Sequence, residues 1–553
     1  MPSQSADITP AINLQAEHGA GPVRARKPAF VDLLPPCNHA CPAGENIQAW
    51  LALAQAGHYQ AAWEVLLNDN PMPAVHGRVC YHPCETSCNR TPLDAAVSIH
   101  AVERFLGDTA LAQGWLPRIT APPSGKRVLI VGAGPSGLAA AYHLARAGHT
   151  VELHEAGPLP GGMLHFGIPA YRLPRDVLAQ EIARITGMGV RILCNLKVTD
   201  LAASMAAGRF DAAFIAIGAH VSRHADIPAR EAARVLDAVS YLHDVSAGTP
   251  PQLGRRVVIY GGGNTAMDAA RTARRLGADE AVIVYRRDRA HMPAHGFEAD
   301  EAIEEGVKIR WLSTITDFAG QELTVERMRL VDGRPEPTGE FDTLPADAVI
   351  LALGQETDSG FLRAMPGIAF KPDGTVIVGP DMMTGAAGIF AGGDMVPSER
   401  TVTIATGHGK KAARHIDAYL RQIPLPHTAK HPLVSFPMLH LPVFTDAAPA
   451  TQPSRSLPSR EGNFGEILSG LTAAAALREA QRCLSCGNCF ACDNCFAACP
   501  EQAIIKLGPN QTATPFYRID DRTCTGCAVC YDQCPCHAIE MIPDPASTAE
   551  PRT

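Results

Sequence analysis

Two stretches of this chain repeat one plan, and that plan constrains the fold more than any other feature. The first, from Arg127 to Ala156, reads RVLIVGAGPSGLAAAYHLARAGHTVELHEA; the second, from Arg255 to Asp288, reads RRVVIYGGGNTAMDAARTARRLGADEAVIVYRRD. Each opens on an apolar run suited to a strand buried on both faces of a parallel sheet. A glycine loop, a segment of helical period and a second apolar strand follow. In the first stretch Gly132, Gly134 and Gly137 stand at G-x-G-x-x-G spacing. One glycine makes the tight turn, one admits a pyrophosphate and one lets helix and strand pack closely. The helix start then offers free N–H groups to the phosphates. In the second stretch Gly261, Gly263 and Ala266, with Asn264 beside them, give the G-x-G-x-x-A version.

The two stretches differ in charge where the second strand ends. Glu155 closes the first; it can accept hydrogen bonds from a ribose hydroxyl and would repel a 2'-phosphate. Arg286 and Arg287 stand at the corresponding place in the second. Two cations there suit a 2'-phosphate, so NADPH is the expected ligand of that loop, with NADH the alternative.

Cysteine usage divides the rest of the chain. Of seventeen cysteines, five lie between Cys37 and Cys88, eleven between Cys483 and Cys536, and Cys194 stands alone. The N-terminus, MPSQSADITPAINLQ, has neither the basic nor the apolar region of a secretory signal, so a cytoplasmic setting is expected and the clusters read as metal centres rather than disulfides. The C-terminal group carries the sharper pattern. Cys489, Cys492, Cys495, Cys499 and Pro500 follow C-x2-C-x2-C-x3-C-P, and Cys524, Cys527, Cys530, Cys534 and Pro535 repeat it. This is the two-cluster bacterial ferredoxin spacing, in which the fourth cysteine of each run serves the other cluster. Cys489, Cys492, Cys495 and Cys534 are thus expected on one 4Fe-4S cluster, and Cys499, Cys524, Cys527 and Cys530 on the other. Cys483, Cys486 and Cys536 are left over, and packing is their default role. In the N-terminal group, cysteines spaced four apart on turns and helix ends can converge on one metal centre.

Composition excludes other classes. A length of 553 residues suggests three or four domains, and a net charge of −8 gives no electrostatic reason to expect nucleic acid. No apolar run approaches the ~18 residues of a membrane span.

HGRVCYHPCETSC, then VSIHAVERFLGD, the first glycine fingerprint and GGMLHFGIPAYRLP together resemble the small subunit of glutamate synthase and its relatives. Those relatives include the N-terminal half of dihydropyrimidine dehydrogenase and the beta subunits of NADPH-dependent ferredoxin and iron(III) reductases. The similarity covers roughly residues 37 to 420. It implies a helical 4Fe-4S domain beside a flavin domain, with Cys41, Cys80, Cys84 and Glu103 as one cluster's ligands. The family's two-cluster version has a C-x2-C pair before the equivalent of Cys37; here PAFVDLLPP precedes it and contains none. Cys37 and Cys88 are then alternative ligands, or half of a site completed by a partner chain. Three clusters are expected, four if these two cysteines support another.

The resemblance also makes the first glycine loop an FAD site. It places Gly162 and Arg172 along the flavin, brings Gly393 and Asp394 back to the ribityl chain, and points the helix after Thr401 at the flavin ring. Gly354, near the end of ADAVILALGQ, joins this set. The expected fold is α/β: two Rossmann-like dinucleotide domains, the nicotinamide one inserted in the FAD one, preceded by a helical Fe-S domain and followed by a small α+β ferredoxin-like domain. The expected divisions are an arm or strap (1–30), helical Fe-S domain (31–122), first FAD part (123–250), NADPH domain (251–360), second FAD part (361–425), extended linker (426–480) and two-cluster domain (481–545).

NADPH releases two electrons together, a cluster takes one, and a flavin does both. The chain is therefore expected to be an oxidoreductase subunit moving electrons between NADPH and 4Fe-4S clusters through FAD, in either direction. Nothing resembles a site for an organic substrate, so a partner subunit is expected to carry the terminal reaction, and a ferredoxin is a further candidate. The alternatives are the small subunit of an NADPH-dependent glutamate synthase and a non-enzymatic cluster-carrying scaffold. A dithiol reductase would need a C-x2-C pair in the nicotinamide domain, yet no cysteine occurs between Cys194 and Cys483.

Overall fold

Arg127–Val131, apolar after its first residue, lies at the centre of a five-stranded parallel sheet. In spatial order the strands are Ile389–Ala391, Ala212–Ile215, Arg127–Val131, Thr150–His154 and Arg191–Leu193. The computed structural model describes residues 24–119, 121–222, 229–230, 234–425, 430–441, 444–508 and 516–544. The last strand of this sheet comes from far along the chain, after a second sheet is complete, so the second unit is an insertion into the first. That second sheet is also parallel and five-stranded: Lys308–Arg310, Glu280–Val284, Arg256–Tyr260, Ala348–Leu351 and Val235–Asp237. Its edge strand, Val235–Asp237, lies upstream of the expected boundary at 251; at three residues it is too short to show a period. An antiparallel meander, Ser313–Ala319, Glu322–Val331 and Arg334–Pro345, packs beside it.

The helical domain is held by close backbone approach. A Cβ on Gly77 would lie 2.5 Å from Arg104 Cα, and one on Gly107 would lie 2.3 Å from the Ala74 nitrogen. Helices Pro73–Val79 and Ile99–Ala112 therefore pack with almost no side chain between them, around the fully buried Trp50 and Trp63 of their neighbours. This contact sets Cys80, at the end of the first helix, against Glu103 on the second.

The C-terminal unit repeats itself in three dimensions. Helices Asn494–Ala498 and Val529–Asp532 each start after a residue in the left-handed region, Asp493 at φ 68° and Ala528 at φ 65°. Strand Arg26–Phe30 pairs antiparallel with Ile539–Pro543, so this part of the arm is a strap on the C-terminal unit. Arg24 locks it there, with Nε 2.5 Å from Asp544 Oδ2. Residues 1–23 lie outside the described set.

The segment expected as a linker is extended but does not hang free. Arg78 and Arg104 both pair with Glu466, Ile467 donates its N–H to the Tyr171 carbonyl, and Arg90 donates to the Thr445 carbonyl. It runs along the helical domain and ends in helix Ala473–Gln481. Among the described residues no helix is long and apolar enough to cross a membrane.

Candidate functional site: two dinucleotide loops and convergent thiols

The three glycines of the first loop occupy three different environments. Gly132 has φ +103°, and a Cβ there would lie 2.5 Å from the Ala216 carbonyl oxygen; a Cβ on Gly137 would lie 2.0 Å from the Gly132 oxygen. Gly134 has nothing within 4 Å, which leaves open space at the N-terminus of helix Pro135–Arg146. The Ser136 hydroxyl is buried at this loop without a hydrogen-bond partner among the described residues. A turn, a close packing and an open approach with an orphaned donor fit a bound pyrophosphate.

Glu155 sits at the end of its strand as expected. Its carboxylate accepts from the Ala133 N–H at 2.8 Å and from the Gly157 N–H at 2.7 Å, so it orders the loop as well as facing it. Gly162 packs on Gly134, with 3.0 Å from a Cβ there to Gly134 Cα. Gly393 meets Ser136 in the same way at 3.1 Å, which returns the Gly393–Asp394 turn to the loop. Burial pushes the Asp394 carboxyl up to about 6, against the pull of Arg400. Gly354 lines a cavity of about 260 Å³ with Thr375, Val396 and Arg400. Thr401 caps helix Val402–Arg421 by accepting from the Ile404 N–H.

The inserted unit repeats the pattern. A Cβ on Gly261 would lie 2.2 Å from the Ala352 oxygen, Gly263 has nothing within 4 Å, and Ala266 is fully buried under the helix. Arg286 and Arg287 follow strand Glu280–Val284 directly, and among the described residues neither enters an ion pair. Asn264 faces the helical domain, its Nδ2 donating to the Tyr81 hydroxyl at 2.7 Å, while Tyr81 stacks on His295 at 3.7 Å.

Arg172 was expected along the flavin. The structure turns its guanidinium to the inserted unit, where Nη1 donates to Asp268 Oδ2 at 2.8 Å and Nη2 pairs with Glu298. Burial opposes its charge, but the two carboxylates hold it well above its ordinary value. Its backbone belongs to the flavin unit, so it clasps the two dinucleotide units together.

Cys41, Cys80 and Cys84 converge in the helical domain with Glu103. Burial pushes the Cys80 thiol up to about 12, with the Glu103 charge adding to it; Cys84 is raised by burial and by the neighbouring Cys80 and Cys41. Glu103 is itself buried, beside Glu45 and His76, and accepts from Asn70 Nδ2 at 2.6 Å. Three thiols and a carboxylate, too buried to ionise readily alone, fit a polycationic iron–sulfur core that would stabilise their anionic forms. Thr403, in the first turn of the Thr401-capped helix, donates its hydroxyl to Cys80 Sγ at 3.1 Å.

Cys499, Cys524, Cys527 and Cys530 line one cavity. Cys495 is raised by burial and then by Cys489, Cys492 and Cys534, its expected partners. Cys536 is buried against Cys534, 3.8 Å between sulfurs.

Cys80 and Cys84, spaced four apart, converge, but the pairs Cys37/Cys41 and Cys84/Cys88 are divided between two sites. Cys37 lies within the short helix Pro36–Ala40 and Cys41 caps its end, while Cys84 lies within Pro83–Thr86 and Cys88 follows its cap, Ser87. Cys37 and Cys88 instead line a cavity with Cys483 and Cys486, from the other end of the same chain. The C-x2-C spacing of Cys483 and Cys486 was the available signal; the missing pair before Cys37 was its counterpart.

Two dinucleotide loops and several sets of convergent thiols define an electron-transferring flavoprotein of the nicotinamide-dependent class. Residues 126–409 match the family model described as pyridine nucleotide-disulphide oxidoreductase, and residues 33–115 match the one described as dihydropyrimidine dehydrogenase domain II, 4Fe-4S cluster. The chain belongs to the pyridine nucleotide-disulphide oxidoreductase family, in the branch that carries this Fe-S domain. It is 36% identical over 499 residues to the NADP(+)-dependent formate dehydrogenase subunit beta of Moorella thermoacetica, covering 82% of this chain and 70% of that one. It is 32% identical over 518 residues to the NADPH-Fe(3+) oxidoreductase subunit beta of Geobacter sulfurreducens, covering 83% and 77%. With the glutamate synthase [NADPH] small chain of Escherichia coli it shares 34% over 421 residues, covering 70% and 89%. All three relatives are named as one subunit or chain of a larger enzyme.

Proposed function

We propose that this chain is the electron-input subunit of a larger oxidoreductase, taking electrons from NADPH at the inserted loop and delivering them singly through its iron–sulfur sites to a partner. FAD, when bound, would accept the two electrons of one hydride together and release them one at a time, which is the conversion this pathway needs. Gly134, Ser136 and Gly162 would hold its pyrophosphate and Asp394 its ribityl hydroxyls. Gly263 and the N-terminus of helix Asn264–Arg275 would hold the NADPH pyrophosphate, and Arg286 and Arg287 its 2'-phosphate. The Arg172 clasp fixes the two units against each other, so alignment for hydride transfer comes from the protein frame rather than from acid or base groups.

The observation that carries this reading is the Thr403–Cys80 contact, which joins the first turn of the flavin-side helix to the helical-domain thiols. With both glycine loops intact, it puts a two-electron site and a one-electron site in one continuous structure. The partner's terminal reaction is proposed to lie on another polypeptide, as the names of the relatives suggest; a formate dehydrogenase, an iron(III) reductase and a glutamate synthase large subunit are the candidates. Anaerobic purification from the native source tests both parts. The expected result is a bound flavin, NADPH-driven reduction of artificial one-electron acceptors by the isolated chain, and a co-purifying catalytic subunit. A chain that purifies without flavin would favour a cluster-carrying scaffold instead.

A further inference from the structure

Cys37, Cys88, Cys483 and Cys486 line one cavity, together with apolar side chains such as Leu51 and Ile99 and the polar Gln48, Asn89 and Arg90. All four thiols line that one space, two from each end of the chain. They are too spread for a single metal ion. Zinc at about 2.3 Å from each sulfur would draw tetrahedral thiolates to about 3.8 Å apart. No three of these four sulfurs lie within 4.8 Å of one another, and the same holds for the two ferredoxin-like quartets.

The surroundings suit thiolates on a cluster. The Ser485 N–H donates to Cys483 Sγ at 3.4 Å, and Asn89 Nδ2 donates to Cys486 Sγ at 3.7 Å. Arg90 is buried at the cavity wall, donating to the Arg482 carbonyl and pairing with Asp94. Donors to sulfur are among the outer contacts that tune such centres.

We propose that Cys37, Cys88, Cys483 and Cys486 bind a further 4Fe-4S cluster, assembled from the two ends of the chain and set between the helical-domain site and the ferredoxin-like unit. Connectivity fixes that position. Cys37 and Cys88 are each four residues from a ligand of the helical-domain site, Cys41 and Cys84 respectively. Cys486 is three residues from Cys489, so their Cα atoms lie within about 11 Å even along a fully extended chain. The site thereby replaces the missing N-terminal C-x2-C pair with one borrowed from the start of the C-terminal unit, and it rivets that unit to the helical domain. Its role as a relay, receiving one electron and passing one on, rests on the electron-input reading; its occupancy does not.

Iron, acid-labile sulfide and zinc counted per chain in the anaerobically purified full-length protein test the proposal. About sixteen iron and sixteen sulfide with no stoichiometric zinc is the expected result, and about twelve iron, or one zinc per chain, would overturn it. In a Cys483→Ser, Cys486→Ser double variant, about four iron and four sulfide should be lost. FAD content and the bleaching of flavin by NADPH should survive, while reduction of the ferredoxin-like clusters by NADPH is lost. Unchanged iron in that variant would also overturn the proposal. If the variant does not fold, the wild-type count decides. Sixteen iron in a protein whose flavin NADPH cannot bleach would uphold the site and remove the electron-input reading.

Discussion

Thr403 donates its hydroxyl to Cys80 Sγ at 3.1 Å, and this bond ties a helix of the flavin unit to a thiol of the helical domain. The same helix meets the helical domain again where His76 Nε2 lies 3.0 Å from Thr406 Oγ1 and where a Cβ on Gly407 would lie 2.3 Å from the Pro42 oxygen. Hydrogen bonds to cluster sulfurs raise the potential by stabilising the added negative charge. Thr403→Val should therefore lower the potential of the helical-domain cluster by tens of millivolts without loss of flavin. Potentiometric titration followed by EPR checks this, and an unchanged potential would show that the bond does not reach the cluster.

Replacing both Arg286 and Arg287 by Ala should weaken NADPH binding on the order of 100-fold while changing NADH binding by less than about threefold, because only the 2'-phosphate needs paired cations. Steady-state KM values for the two nucleotides decide it. Equal losses would show that the arginines serve the strand end and not the phosphate.

Asp394 gives the FAD site a pH dependence. In the unliganded chain burial holds its carboxyl at about 6, and ribityl hydroxyls hydrogen-bond best to the ionised form. Binding then lowers this pKa, so affinity is full above pH 6 and falls as pH drops below it, by up to about tenfold per unit. FAD titrations of the apoprotein from pH 5 to pH 8 should show this slope, and Asp394→Asn should flatten it.

Gly107 is where the helical domain is least tolerant. Any side chain there meets the Ala74 backbone, so Gly107→Val should cost about 3 kcal/mol or more and separate Cys80 from Glu103. Iron should fall while FAD is retained, as read by iron and flavin content of the same preparation.

The parts of this molecule that a sequence shows most readily are those where one residue type is forced by backbone geometry. Gly132 must turn at φ +103° and Gly137 must sit against the Gly132 oxygen, so the loops were legible from glycines alone. The ferredoxin-like quartets were legible for a similar reason, since their ligands are close in the chain and repeat. What was not legible depends on approach between distant segments. The meander Ser313–Pro345 has solvent-facing strands such as Arg334–Pro345, whose charged and polar residues carry no apolar period. The turn of Arg172 to Asp268 and Glu298 was not legible either, because these two buried carboxylates of the inserted unit lie far from it in sequence. Cys483 and Cys486 looked spare for the same reason: their partners lie some four hundred residues upstream, beyond any local pattern.

A chain that converts nicotinamide hydride into single electrons on iron–sulfur centres must pass them in a fixed order. Rapid anaerobic mixing of the purified, cluster-loaded chain with NADPH, read by flavin absorbance and by freeze-quench EPR, tests it most directly. Flavin bleaching followed by the appearance of reduced-cluster signals, in that order and faster with NADPH than with NADH, is the predicted result. Clusters that stay oxidised while the flavin is reduced, or a flavin untouched by either nucleotide, would contradict it.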